Sequence, residues 1–158
     1  MKYIRLFEDF QLGDLNVMSP DKIITLFFRE CGRKTPNLEV IRVILENGLV
    51  DVNSRDNSVR VGGVWVNRTP LHIALGSYNI DINLVKLLIE AGADLEASDG
   101  WGKRPLHLAV YYNRVDIVEY LIEMGATVNI YDNDYNSPLD YATSKEMKEL
   151  LEQHGALE

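Results

Sequence analysis

The chain has 158 residues and a formal net charge of −8, and its 46% apolar and 25% charged residues are the balance expected of a soluble globular domain. So acidic a chain is poorly suited to neutralising phosphates, which argues against nucleic acid as a partner, and no apolar run approaches the roughly 18 to 20 residues of a bilayer span, which argues against a membrane. Cys31 is the only cysteine, so no intrachain disulfide forms, and with an amino terminus charged throughout this points to a reducing, cytoplasmic setting.

Residues 1–18 carry Tyr3, Phe7 and Phe10 at helical spacing, with Leu6 beside them. They read as an extension, either folded back over the open end of the following domain or used as a short docking segment. The domain itself is expected over residues 19–158. Its first stretch, to about residue 53, holds an apolar helical block, Val40-Ile41-Arg42-Val43-Ile44-Leu45, closed by Asn47-Gly48. Residues 57–68 then alternate strictly about Gly62-Gly63, the pattern of a two-residue hairpin. The register follows: Val61 opposite Val64, Arg60 opposite Trp65 and Val59 opposite Val66, with four valines on one face. A lone hairpin is marginal in water, so this finger must lean on a neighbouring turn or on a partner. A functional element and a loop that merely thickens the scaffold both remain open.

Thr69-Pro70-Leu71-His72-Ile73-Ala74 opens a helix, because Thr caps it and Pro presets φ at its first position. Leu71 and Leu75 form its apolar stripe, and a second helix runs on to Gly92. The pattern returns 35 residues later as Arg104-Pro105-Leu106-His107-Leu108-Ala109, with Leu106 and Val110 on one stripe, Ile117 and Leu121 on the next, and closure at Gly125. It returns again 33 residues on, weakened, as Ser137-Pro138-Leu139-Asp140-Tyr141-Ala142, with closure at Gly155. That last unit is three residues shorter between its Pro-Leu motif and its glycine, which predicts a shortened loop between its helices. Helices this short bury one stripe each and are unstable alone, so the units must stack.

The Thr-Pro-Leu-His-x-Ala motif at this period resembles the ankyrin repeat family, closely over residues 67–158 and more loosely over 19–56. The resemblance implies an all-α repeat solenoid of four helix-turn-helix units joined by β-turn hairpins, the outer two units acting as caps and one hairpin extended at about 57–68. It also implies a non-enzymatic adaptor or inhibitor that binds a folded protein partner through its hairpin tips and concave helix face, or else a regulatory or scaffolding subunit of an enzyme complex with catalysis in the partner. Carried over position by position, the contact residues are Arg68, Trp101, Lys103, Tyr111, Tyr112 and Arg114, joined by Tyr78 in an inserted loop and by Arg60 and Trp65 on the finger. Tyr and Trp beside Arg and Lys are the residue types that dominate interface energetics. For Tyr111 and Tyr112 the alternative is packing between helices, and for the turn cations it is plain solvation.

His72 and His107 occupy equivalent positions without Cys or carboxylate at ligand spacing, so no metal site is expected, and no cofactor. The resemblance gives His72 a hydrogen bond to Thr69 in its own turn and leaves His107, where Arg104 replaces the Thr, in doubt. Cys31 reads as a buried, inert thiol. No nucleophile–base pair stands out, and the free chain is expected to be monomeric.

Overall fold

Caps and prolines set where each helix begins. The computed structural model of the chain describes residues 12–58, 60–76 and 80–157. Pro20, Pro70 and Pro105 each start a helix, at α1 (Pro20–Cys31), α3 (Pro70–Leu75) and α5 (Pro105–Tyr111). The intervening helices start at side-chain caps: Asn37 for α2 (Leu38–Glu46), Asp81 for α4 (Ile82–Glu90) and Ser144 for α7 (Lys145–Gln153). Arg114 precedes α6 (Val115–Glu123) without a side-chain cap. A single 3₁₀ turn, Leu12–Val17, leads into α1 and buries Leu15 in the core.

The helices stack in two rows. α1 packs on α3 and α3 on α5, forming an inner row that ends on a 3₁₀ turn, Leu139–Tyr141; α2 packs on α4 and α6 on α7 in an outer row. The stripe residues expected to face inward do so: Leu71, Leu75, Leu106, Val110, Ile117 and Leu121 are fully buried in one continuous core. Cys31 is part of that core, and burial raises its thiol pKa far above the ordinary range, which keeps it protonated. The fourth unit departs from expectation. What is shortened is the first helix itself, reduced to the 3₁₀ turn, while Ser144 caps α7 three residues beyond Tyr141, the same spacing that separates Tyr111 from Arg114 in the preceding unit.

The finger has the register read from its sequence. β1 (Arg60–Val61) and β2 (Val64–Trp65) are antiparallel with Arg60 opposite Trp65 and Val61 opposite Val64. Gly62 (φ +57°) and Gly63 (φ +87°) supply the two left-handed residues of the turn. Val59, expected opposite Val66, lies outside the described residues. The base of the finger leans on the next unit as required: the Gly100 amide donates to the Val66 carbonyl (2.8 Å), and Arg55 Nη1 donates to the carbonyls of Asn67 (3.0 Å) and Ser98 (2.7 Å). Val66 is buried there while Val61, nearer the tip, stays exposed.

Consecutive units are also stitched by buried imidazoles. His72 Nε2 lies 3.0 Å from the Lys103 carbonyl of the next turn and His107 Nε2 lies 3.2 Å from that of Asn136. A carbonyl only accepts, so each Nε2 carries the proton and each Nδ1 is an acceptor. His72 Nδ1 accepts the Thr69 hydroxyl (2.7 Å), and His107 Nδ1 accepts the Arg104 amide (3.0 Å), so the missing Thr at 104 costs the hydroxyl contact without moving the ring. A third set of bonds runs from Asn53 to Gly92 and Asp94, from Glu96 to Thr127, and from Asn129 to Gly155 and Leu157.

Two predictions follow from this geometry. Gly102 has φ +79°, and a Cβ there would lie 2.4 Å from Asn133 Oδ1 and 2.8 Å from the Asn133 amide nitrogen; Gly92 has φ +90° but open space around it. Gly92→Ala should therefore cost about 1–2 kcal/mol from left-handed strain alone, and Gly102→Ala about 2–5 kcal/mol with the overlap added, compared by urea unfolding. Desolvation holds the pKa of both His72 and His107 below the ordinary value, against the opposing pull of the carbonyls they bond. The unfolded chain takes up these protons near pH 6.5, so the stability contributed by the neutral rings is complete above that pH and falls as pH drops toward the depressed native values. Unfolding free energy measured at pH 5.5 should lie below that at pH 7.5, with both ring resonances in the native chain titrating below the ordinary imidazole value.

Candidate functional site

Each hairpin projects from the start of an inner helix and is shaped by one aspartate. Asp99 Oδ1 accepts the amides of Trp101 and Lys103 (both 2.9 Å), and Asp132 Oδ1 accepts those of Asp134 (2.9 Å) and Asn136 (3.0 Å). Neighbouring turns are joined by backbone bonds, the Asn133 amide donating to the Trp101 carbonyl at 3.0 Å. The tips are thus fixed relative to one another, and the side chains they carry form two adjoining surfaces.

The first is a cleft of about 750 Å³ between α1 and the finger. Ile24, Phe28, Ile73 and Val66 form its apolar floor and Trp101 stands at one side. Arg68 lies over the Trp101 ring at 5.8 Å, its Nε 3.8 Å from the buried Asp99 Oδ2. The second surface is aromatic. Lys103 Nζ sits 4.3 Å from the Tyr141 ring centroid and 5.7 Å from that of Tyr111; Tyr111 meets Tyr112 edge-on at 5.1 Å and Tyr141 at 6.1 Å. The Tyr141 hydroxyl donates to Asp132 Oδ2 at 2.5 Å. Burial alone would raise the Asp132 pKa, but this bond and the amides of Asn136 and Asp134 outweigh it and hold the carboxyl below its usual range. Tyr141 moves the other way, its phenol raised by burial and by the Asp132 partner.

Of the residues expected at the contact surface, Arg68, Trp101, Lys103 and Tyr111 stand together on these two faces, and Tyr111 is 52% exposed. Tyr112 is half-buried against the core. Arg114 is committed within the chain: Nη1 donates to the Ile80 carbonyl (2.8 Å), while Nε and Nη2 bond the Asp116 carboxylate (3.1 and 2.9 Å), the first cause of that group's lowered pKa. Tyr78 lies outside the described residues, as do the side chains of Arg60 and Trp65, whose backbones pair in the finger. Sequence reasoning missed Tyr141, which is half-buried against the core with its ring facing Lys103 and Tyr111. Its position matches Ile73 and Leu108 in the earlier units, where apolar residues pack on the core, so the sequence carried no signal for it. Among the described residues no group of three or more His, Cys, Asp or Glu side chains could hold a metal ion, and no helix is long and apolar enough to cross a membrane.

A hairpin, two antiparallel helices and a buried His reaching the next turn, repeated along the chain, form the unit that family comparison recognises: the model for ankyrin repeats (3 copies) matches residues 27–132 and 77–156. The chain belongs to the ankyrin repeat family. Ankyrin repeat protein nuc-2 of Neurospora crassa is 30% identical over 132 residues, 80% of this chain and 11% of its own length. Ankyrin repeat and SOCS box protein 5 of Bos taurus is 39% identical over 56% of this chain and 26% of its own length. Serine/threonine-protein kinase VIK of Arabidopsis thaliana is 38% identical over 58% of this chain and 22% of its own. The ankyrin chain thus spans about a quarter or less of these relatives.

Within this site the Tyr141 hydroxyl is the test of how firmly the aromatic surface is anchored. Tyr141→Phe leaves the ring in place but strips a buried carboxylate of a donor, which should cost about 1–3 kcal/mol in urea unfolding and move the Asp132 carboxyl upward in an NMR titration.

Proposed function

We propose that this ankyrin repeat chain is a non-catalytic adaptor or inhibitor that binds a folded protein partner across its hairpin tips and inner helix row. The observation that supports this most is the clustering of Lys103 with the rings of Tyr111 and Tyr141, beside a turn carrying Trp101 that Asp99 closes and Asn133 joins to the next turn. A surface organised before docking loses little entropy on binding, so a few aromatic anchors are enough for useful affinity. Trp101 and Tyr111 are the anchors in this reading, with Arg68 and Lys103 setting the local charge.

A regulatory or scaffolding subunit, with catalysis in its partner, is the second reading. It draws on the kinase relative, in which the matching stretch is a minor part of a longer chain.

The test is site-specific photo-crosslinking in cells that make the protein, with the probe at position 101 or 111 on the proposed face or at position 124, an exposed methionine at the end of the outer helix α6. The expected outcome is a partner crosslinked from 101 and 111 and absent from 124. With that partner purified, Trp101→Ala and Tyr111→Ala should each weaken binding by about 2 kcal/mol, roughly 30-fold, while helicity is retained. Equal labelling from all three positions, or variants that bind as the parent does, would sink the reading.

A further inference from the structure

Resting on the interaction reading above, we propose that the cleft between the finger and α1 receives an extended, acidic segment of the partner, with one bulky apolar side chain seated on the cleft floor. Three observations point to this occupant.

The cleft is apolar at its floor, through Ile24, Phe28, Val66 and Ile73, and at its walls through Val61 and Trp101. Val61 is 52% exposed, an apolar residue kept in water at the edge of an apolar hollow. The volume of about 750 Å³ lies within the roughly 300–1,000 Å³ that bound small groups occupy.

The charge at its rim is positive although the chain is acidic. Arg29, Arg55 and Arg68 line the cleft beside Asp56, and the buried Asp99 carboxylate lies behind Arg68, its Oδ2 3.8 Å from Nε. Arg55 donates to two neutral carbonyls, and Glu30 accepts from both Arg29 and Arg33. An acidic segment complements this rim and a basic one is repelled.

The finger also offers a strand edge. In a two-residue hairpin the pair next to the turn, here Val61 and Val64, exchanges the ladder bonds, so the amide and carbonyl of Arg60 face away from β2. On the β2 side the Val66 carbonyl is already taken by Gly100 of the next hairpin. Beyond β1 the described residues place no strand: the chain before α1 is the 3₁₀ turn Leu12–Val17. A segment added along β1 would be held extended by its backbone, its alternate side chains directed into the cleft and its flanking carboxylates near Arg29 and Arg55.

The test uses the full chain, isotope-labelled for NMR, and a panel of synthetic nine-residue peptides with a central Phe or Leu flanked by Glu. Matched peptides carry Lys for Glu, Ala at the centre, or N-methyl groups on alternate backbone amides. Saturable shifts at Ile24, Thr25, Phe28, Val61 and Val66 are expected with the Glu peptides, with at least tenfold weaker binding for each matched set. Val61→Glu, at an exposed position, should weaken binding at least tenfold with an unchanged melting temperature. The proposal is overturned if no peptide shifts these residues, if Lys peptides bind equally well, or if the response maps to Tyr111 and Tyr141 instead. It is overturned likewise if the cleft resonances change with protein concentration, which would mark a second copy as occupant. The same holds if they move in a full-length variant with Tyr3, Phe7 and Phe10 changed to Ser, which would mark the chain's own first residues. Crosslinks through position 111 without any peptide response would defeat this inference alone and leave the interaction reading standing; the absence of both would remove both.

Discussion

A neutral imidazole that donates to the next unit and accepts from its own is the contact on which the register of the last three units depends. Each of His72 and His107 is fully buried and has both ring nitrogens satisfied, one by a carbonyl about thirty residues away and the other by the turn it belongs to. Net, such a bond is worth about 1 kcal/mol, but stranding either partner in the core costs about 1–3 kcal/mol. The contact therefore acts chiefly by excluding other arrangements: a neighbouring unit shifted by one residue would leave two buried polar groups unpaired. Apolar stripes alone do not supply this discrimination, since Leu and Ile slide past one another at little cost. The stripes drive the stacking and the imidazoles fix its register.

From that register comes the rigidity of the hairpin tips. The Asp99 and Asp132 loops are each closed on themselves and then joined across the Asn133–Trp101 backbone bond, so the tip of one unit is placed by the helices of the next. Gly102 shows how close the approach is, since the space a side chain would need is filled by Asn133. The finger uses the same attachment at its base and then extends beyond it, which is why Val66 is buried and Val61 is not.

The parts legible in the sequence were those decided by neighbours along the chain. The Gly-Gly turn and the alternation around it fixed the pairing of Arg60 with Trp65, because a two-residue loop permits one register only. Thr69 and the proline after it marked the start of α3 for equally local reasons. Arg114 and Tyr141 were not legible in this way. Arg114 seemed a surface cation because nothing near it in sequence reveals the Ile80 carbonyl 34 positions back. Tyr141, half-buried, joins the aromatic cluster only through Lys103 and Asp132, which other segments bring to it. The fourth unit sits between these cases: the three missing residues could be counted, but the count does not say that the helix rather than the loop gives way, and Asp140 accepts from the Ser137 amide just as His72 and His107 accept from Thr69 and Arg104.

The cations separate by the same criterion. Arg104 bonds Glu96 at 2.6 Å and Arg114 bonds Asp116, so both are part of the frame. Lys103 instead lies over the Tyr141 and Tyr111 rings, and Arg68 lies over Trp101 while also contacting Asp99. Tyr135 carries the argument one step further. It occupies the position that Gly102 fills in the preceding unit, with φ +62°, and its side chain is 86% exposed. An L residue held in the left-handed region costs about 1–2 kcal/mol, and a side chain so exposed recovers little of that by packing within the chain. The tip of the fourth hairpin thus keeps a large aromatic in water at a local cost to stability, on a turn whose shape the Asp132 carboxylate maintains.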